Sequence, residues 1–385
     1  MSKIRVHALA LPHTITRKDF TICAFTQKVL SFCEMFHKLG IHVIHYGHQD
    51  SEVMCDEHVT VITRDLYNSC IDETILKTKG YEGMESKCDP LNAAFIVNCI
   101  QEIGKRKQPG DIILEFWGGW QKQISDAHPD LFDCEVSIGY PHAHAKYRVY
   151  ESYAMMHMHS TAAASGDASN ENNNPYHVVI PSGFKLENFE FKREKQDYFI
   201  MCGRLGWGKG VHIAARVCDI VGAKLILMGT THGPQTCKFG DTWPHNVEYI
   251  GYADIETRKH YMSNAKALFC PTLYTEPFGY VAIEAQLSGT PVITVDRGGF
   301  TETVLHGITG YRCRTLDEFI WATKNIDKIN PEDCRYWAEK NYSQERVGRM
   351  YLEYFKSLKN IHESTGWYTV DPNRLDLETV QKYYP

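Results

Sequence analysis

The sequence predicts an α/β protein made of two Rossmann-like domains, each on a parallel sheet. Three observations carry that expectation. A chain of 385 residues is too long for one hydrophobic core and suits two. It opens as strand, helix, strand: residues 4–9, then 23–39 with helical spacing ending at Gly40, then 41–46. That is the start of a parallel α/β unit. Farther on, Thr275-Glu276-Pro277-Phe278-Gly279-Tyr280-Val281-Ala282-Ile283-Glu284-Ala285 lies between two short apolar runs, 267–271 and 291–295. Short apolar runs read as buried parallel strands, and residues 281–287 between them as a helix.

The other elements follow in order. Residues 92–103 are predicted helical, 111–116 a strand, 135–139 another strand and 148–159 a helix. Residues 160–174 are rich in Ala, Ser, Gly and Asn and read as an exposed loop. A strand at 198–202 enters the turn Gly203-Arg204-Leu205-Gly206-Trp207-Gly208-Lys209-Gly210, and 211–221 is a helix. The segment 332–359 is predicted helical and 370–385 is a polar tail. The expected division is 1–181, 182–365 and a tail, 366–385. No internal repeat is visible.

Composition excludes several classes. A net charge of −6 without clustered basic residues argues against nucleic acid as a partner. No run of about eighteen apolar residues exists for a membrane span, and the amino terminus is too short and polar for a signal peptide. The 13 cysteines are scattered without Cys-x-x-Cys spacing, so free thiols and a cytoplasmic setting are expected rather than disulfides or zinc.

The chemistry is concentrated in two places. Glu276 and Glu284 form a Glu-x7-Glu pair. Glu276 is expected near the carboxyl end of a strand and Glu284 two turns into the helix after it. Ligands of open α/β sheets bind at strand carboxyl ends, and helix-start amides hold anions. The glycine-rich turn carries Arg204 and Lys209. Glycine lets the backbone approach a ligand, and a cation on each side suits a diphosphate. The turn lacks the Gly-Lys-Ser/Thr ending of a P-loop. Taken alone it is an ordinary solvated turn, and Glu284 alone an exposed helix residue. Together they point to a nucleotide.

These residues resemble a known family. Val179-Ile180-Pro181-Ser182-Gly183-Phe184 is similar to "IPNGV", and Gly203 to Gly210 to "GRL…KG". Leu225-Ile226-Leu227-Met228-Gly229 resembles a strand ending in Gly, and Asn246-Val247-Glu248-Tyr249-Ile250-Gly251-Tyr252 resembles "NVxFLGxV". Gly298-Gly299-Phe300-Thr301-Glu302 resembles "GGxxE". Residues 178–345 thus resemble the retaining family-4 glycosyltransferases of the GT-B fold, the glycosyl transferases group 1. Ser182, where Asn is usual, and Gly206-Trp207-Gly208, where Ser-Pro-Glu is commoner, depart from the pattern.

The resemblance implies a GT-B fold with sheets facing across a cleft, and transfer of a hexose from a nucleoside diphosphate sugar. GDP-mannose or UDP-glucose is the expected donor type, and a hydroxyl of a glycan, lipid or small molecule the acceptor. Arg204 and Lys209 would stabilise the leaving diphosphate, aided by the amides around Phe278, Gly279 and Tyr280. Glu276 would contact the transferred sugar and Glu284 the ribose. Gly203, Gly229, Gly251 and Tyr252 would border the nucleotide, although such glycines are also plain turn residues. No metal and no further cofactor is expected. The last helix would cross back to the first domain, and a homodimer would be unsurprising. In the first domain His13 and His142 are candidates to face the reacting sugar, and His144 is a weaker one. Trp117-Gly118-Gly119-Trp120 could serve an acceptor or the core. The rival readings are a non-catalytic sugar-nucleotide-binding protein or an epimerase of the same fold.

Overall fold

The computed structural model describes residues 3–20, 23–73, 88–162, 175–231, 233–363 and 367. The chain forms two compact units, one of residues 1–149, 174–178 and 348–385, the other of 150–173 and 179–347.

The first unit holds β1 (Arg5–Leu9), α1 (Ala24–Lys38), β2 (His42–His48), β3 (Glu57–Ile62), α2 (Arg64–Cys70), α3 (Asp89–Arg106), β4 (Ile112–Glu115), α4 (Lys122–Asp126) and β5 (Phe132–Ile138). With β6 (Tyr147–Tyr150) and β7 (Val178–Val179), its sheet runs β3-β2-β1-β4-β5-β6-β7. The pairs from β3 through β5 are parallel. The order reverses between β1 and β4, which leaves a crevice at their carboxyl ends. Residues 348–363 belong to this unit, with the Tyr351 and Phe355 rings edge-on to Phe36.

The second unit holds α5 (Tyr153–Ala162), β8 (Phe199–Cys202), α6 (Val211–Val221), β9 (Leu225–Met228), β10 (Val247–Gly251), α7 (Ile255–Asn264), β11 (Ala267–Cys270), α8 (Tyr280–Leu287), β12 (Val292–Val295), α9 (Phe300–Thr303), β13 (Gly310–Cys313), α10 (Leu316–Asn325) and α11 (Pro331–Tyr342). α12 (Gln344–His362) starts here. The sheet is β10-β9-β8-β11-β12-β13 and wholly parallel. Its order reverses between β8 and β11, the strands that lead into the glycine-rich turn and the Glu-x7-Glu stretch.

Its inner strands are largely apolar because both faces are covered. Phe199, Met201, Leu225, Leu227, Phe269 and Ile293 pack in one core cluster. Ile200, Ile226, Met228, Leu268, Cys270 and Val292 alternate with them and pack in another on the opposite face. Glycines at 210 and 222, both left-handed, bound α6.

Several expectations need correction. Residues 148–159 are not one helix: Tyr147–Tyr150 is a strand and the helix begins at Tyr153. The aromatic and β-branched residues of that strand favour extended backbone. Residues 332–359 are two helices that meet at Ser343, whose Oγ accepts the Arg346 N–H. Glu284 lies one turn into α8, not two, because the helix begins at Tyr280. β3 was not anticipated. Residues 163–174 of the expected loop and all of 370–385 lie outside the described residues.

Candidate functional site

The second unit's site is built on the carboxyl ends of β8 and β11. After β8 the chain turns through Gly203–Gly210, with Trp207–Lys209 as one turn of 3-10 helix. After β11 it turns through Pro271–Gly279 into α8. Lys209 and Glu276, one from each turn, form an ion pair with Nζ 2.7 Å from Oε2. The Tyr274 hydroxyl donates to the same Oε2 at 3.1 Å, and Lys209 Nζ lies 5.0 Å from the Tyr274 ring centroid. Burial pulls the Lys209 ammonium down, but Glu276 and Tyr274 outweigh it, and its pKa ends above the ordinary lysine value. Lys209 is therefore a fixed cation at neutral pH. Glu276 Oε1 has no partner among the described residues and is left to accept from a ligand.

Arg204 is exposed and has no hydrogen-bond or ion-pair partner among the described residues. It is the uncommitted cation beside the committed one. Gly229, just after β9, has φ +132°, and a Cβ there would lie 1.8 Å from the Gly203 carbonyl oxygen. Glycine is needed because two strand ends touch at that point. Gly298 has φ +63°, and a Cβ would come within 2.8 Å of the Glu276 carbonyl oxygen. Gly299 N–H donates to that oxygen at 2.8 Å, so the Gly298-Gly299 pair seats the Glu276 backbone.

Gly279 caps α8 without a side-chain bond, so the first amides of the helix carry no side-chain cap. The side chains of the neighbouring residues are structural. Phe278 is buried against Phe184, Tyr280 and Tyr342. The Tyr280 hydroxyl and Ser182 Oγ both donate to Oε1 of buried Glu151, Ser182 at 2.7 Å. This accounts for serine at 182: its hydroxyl completes the Glu151–Tyr280 cluster. Glu302 ties the same region together, its carboxylate accepting the N–H groups of Tyr153 and Ala154 at 2.9 and 3.0 Å.

Among the described residues Glu284 Oε2 is buried with no hydrogen-bond partner. Sequence reasoning missed its cationic neighbour. Arg258 on α7 is raised above the ordinary arginine value, chiefly by Glu284. Tyr252, also expected here, is exposed and is a weaker influence on the same guanidinium. The only cue in the sequence was a cation in the helix after Gly251-Tyr252.

Trp207 also has a role. Its ring stacks on His212 at 3.7 Å and 8°, and Lys238 Nζ sits 3.5 Å from its centroid. The stack fixes the turn that carries Lys209.

In the first unit the turns after β1, β4 and β5 converge. His13 is buried with its ring 4.6 Å from Trp117, and burial pushes its pKa down to about 4. It is a neutral imidazole at neutral pH. His142 is exposed with φ +70°; its carbonyl would lie 3.6 Å from a Cβ on Gly118. His144 is held by acids: Nε2 is 2.7 Å from Glu115 Oε2 and Nδ1 3.6 Å from Glu135 Oε2. Burial pulls His144 down, but Glu115 and Glu135 outweigh it and raise it above the ordinary value. Both carboxylates are 0 % exposed, and burial raises Glu135. Among the described residues, no group of three or more His, Cys, Asp or Glu side chains is arranged to hold a metal ion, and no helix is long and apolar enough to cross a membrane.

Residues 184–344 match the family model for glycosyl transferases group 1. The match lies within the second unit and covers less than half of the chain. An uncharacterized glycosyltransferase of Methanocaldococcus jannaschii is 26% identical over 225 residues, 54% of this chain and 51% of that protein. The chain thus spans about half the length of this curated relative. Among solved structures, sucrose-phosphate synthase of Thermosynechococcus elongatus superposes with a TM-score of 0.67 at 16% identity, covering 92% of this chain and 99% of that one. The Anabaena protein HepE, solved with UDP and glucose, superposes with a TM-score of 0.60 at 15% identity, covering 92% and 100%. These likenesses show the fold, which is GT-B. The group 1 match falls on the unit that carries Lys209, Glu276 and Glu284.

Proposed function

We propose that the protein is a retaining glycosyltransferase, metal-independent, that moves a hexose from a nucleoside diphosphate sugar to a hydroxyl acceptor on a glycan, lipid or small molecule. The Lys209–Glu276 ion pair between the β8 and β11 turns carries this reading. As the glycosidic bond to the diphosphate breaks, the sugar becomes oxocarbenium-like and negative charge grows on the leaving phosphate. Lys209 has three N–H donors. One holds Glu276, and the ammonium would meet the phosphate beside the guanidinium of Arg204 and the first amides of α8. Fixed donors stabilise developing charge without reorganising.

Glu276 is assigned to the hydroxyls of the transferred sugar, not to nucleophilic attack, because Oε2 is taken by Lys209 and Tyr274 and only Oε1 remains. Glu284, with its unpartnered Oε2, suits the ribose diol. A UDP-glucose or GDP-mannose donor fits this arrangement, and the HepE complex with UDP and glucose favours the uridine type by analogy. His13 and His142 are the first unit's candidates to face the sugar, His13 as a neutral imidazole. In the absence of a committed nucleophile, departure and attack on the same face of the ring would give retention. Proton NMR of the first-formed product tests this: an α-linked donor should yield an α-linked product. A β-linked product would refute retention and the role given to Glu276.

A further inference from the structure

Tyr274 is a third member of the Lys209–Glu276 pair. It stands two residues before Glu276 in the turn after β11 and is 42% exposed. Its hydroxyl donates to Glu276 Oε2 at 3.1 Å, the oxygen that Lys209 Nζ already holds at 2.7 Å. Both donors therefore sit on one oxygen, and Oε1 takes neither.

The tyrosine ring is placed by the opposite turn. Lys209 Nζ lies 5.0 Å from its centroid, and a Cβ on Gly208 would lie 3.6 Å from the ring. Just ahead of it the two turns are stitched together. The Leu273 N–H donates to the Gly208 carbonyl at 2.8 Å, and a Cβ on Gly210 would lie 2.0 Å from the Pro271 carbonyl oxygen. A tyrosine held only by solvent would not need these contacts. Burial, with Glu276 second, raises the Tyr274 phenol above its ordinary value, so it remains a donor at neutral pH.

The two oxygens of a carboxylate are equivalent. One cation alone can hold either of them and lets the group turn between them. A second donor on the same oxygen removes that freedom, so the acceptor is ordered before a ligand arrives. We infer that Tyr274 is a positioning residue for the transferred sugar: its hydroxyl fixes the Glu276 carboxylate so that Oε1 alone is offered to a sugar hydroxyl. Tyr274 acts through Glu276 and has no part in holding the diphosphate. The inference rests on the assignment of Glu276 to the sugar, and it adds the group that sets the selectivity of that contact. The pair then reads a hydroxyl at one position of the ring. A sugar without that hydroxyl leaves Oε1 unpaired, which binding sites of this kind penalise.

Calorimetry on the full chain tests this with UDP against UDP-glucose and GDP against GDP-mannose. The variants are Tyr274→Phe, Glu276→Ala and the two combined. Phenylalanine keeps the ring beside Lys209 and Gly208 and removes only the hydroxyl. In Tyr274→Phe, binding of the sugar nucleotide should weaken by about tenfold, and binding of the bare diphosphate should not change. In the Glu276→Ala background the same substitution should have no further effect. Among monodeoxy analogues of the donor sugar, one should bind the wild type poorly, and its penalty should shrink in Tyr274→Phe. Parallel losses for the sugar nucleotide and the bare diphosphate would show a structural role and overturn the inference. Unchanged binding in Tyr274→Phe, or additive losses in the double variant, would overturn it too while leaving the transferase reading intact. A wild type that binds none of the four ligands refutes that reading, and the inference with it.

Discussion

Lys209→Ala should lower kcat/KM for sugar transfer by about 30- to 1000-fold, corresponding to roughly 2–4 kcal/mol of lost transition-state stabilisation. The far-UV circular dichroism should not change, because the pair sits at strand ends and not in either core cluster of the sheet. The loss should fall mainly on kcat, since the charge that Lys209 meets grows as the diphosphate leaves. Glu276→Ala should also abolish transfer. It removes the sugar-facing oxygen and leaves Lys209 without the carboxylate that outweighs its burial. Full activity in either variant would refute the site. An unfolded Lys209→Ala protein would show that the pair is structural, a different result from an inactive folded one.

The second large effect is on stability in acid. Burial lowers His13 and His48 to about 4 and, with His58 beside it, His45 to about 3. Unfolded, each titrates near 6.5. The folded state therefore binds fewer protons between those values. The stability these groups contribute is complete above pH 6.5 and is lost as pH falls toward their folded values. Each should cost up to about 2 kcal/mol at pH 5 relative to pH 7.5. His144 works the other way: its folded pKa is raised, so it favours the folded state below 6.5 and offsets part of the loss. Urea melts at pH 7.5 and 5.0 should show a lower midpoint in acid, and His45→Gln should shrink the difference. Equal midpoints at the two pH values would contradict the burial of these imidazoles as neutral groups.

What could be read from the sequence was local. The glycine-rich turn, α6 and the Glu-x7-Glu stretch each lie within a dozen residues, so their strand–turn–helix character shows in apolar runs and glycines. The doubly covered sheet of the second unit shows for the same reason. Partnerships across long separations did not show. Lys209 and Glu276 were both expected to meet a ligand, but their pairing across 67 residues is a tertiary fact. So are the Glu151–Ser182–Tyr280 cluster and the approach of Arg258 to Glu284. β3 could have been found: Val59, Val61 and the polar His58 and Thr60 alternate with period two, and the strand pairs in parallel with β2. The helix predicted over 148–159 failed because Tyr147, Val149 and Tyr150 favour strand and join the first sheet. The first unit's chemistry was the least legible. Its glycine-rich turn is absent after β1, and a buried acid pair such as Glu115 and Glu135, opposite each other on β4 and β5, leaves no spacing signature.

The most direct test of the central claim is calorimetric titration of the full chain with GDP-mannose, UDP-glucose, UDP-N-acetylglucosamine and ADP-glucose, first without metal and then with magnesium. The account predicts that one of these donors binds in the micromolar range, equally well with and without magnesium, and that Lys209→Ala weakens it. Binding of none of them, or binding only when magnesium is present, would contradict a donor site built from Arg204, Lys209, Glu276 and the first amides of α8.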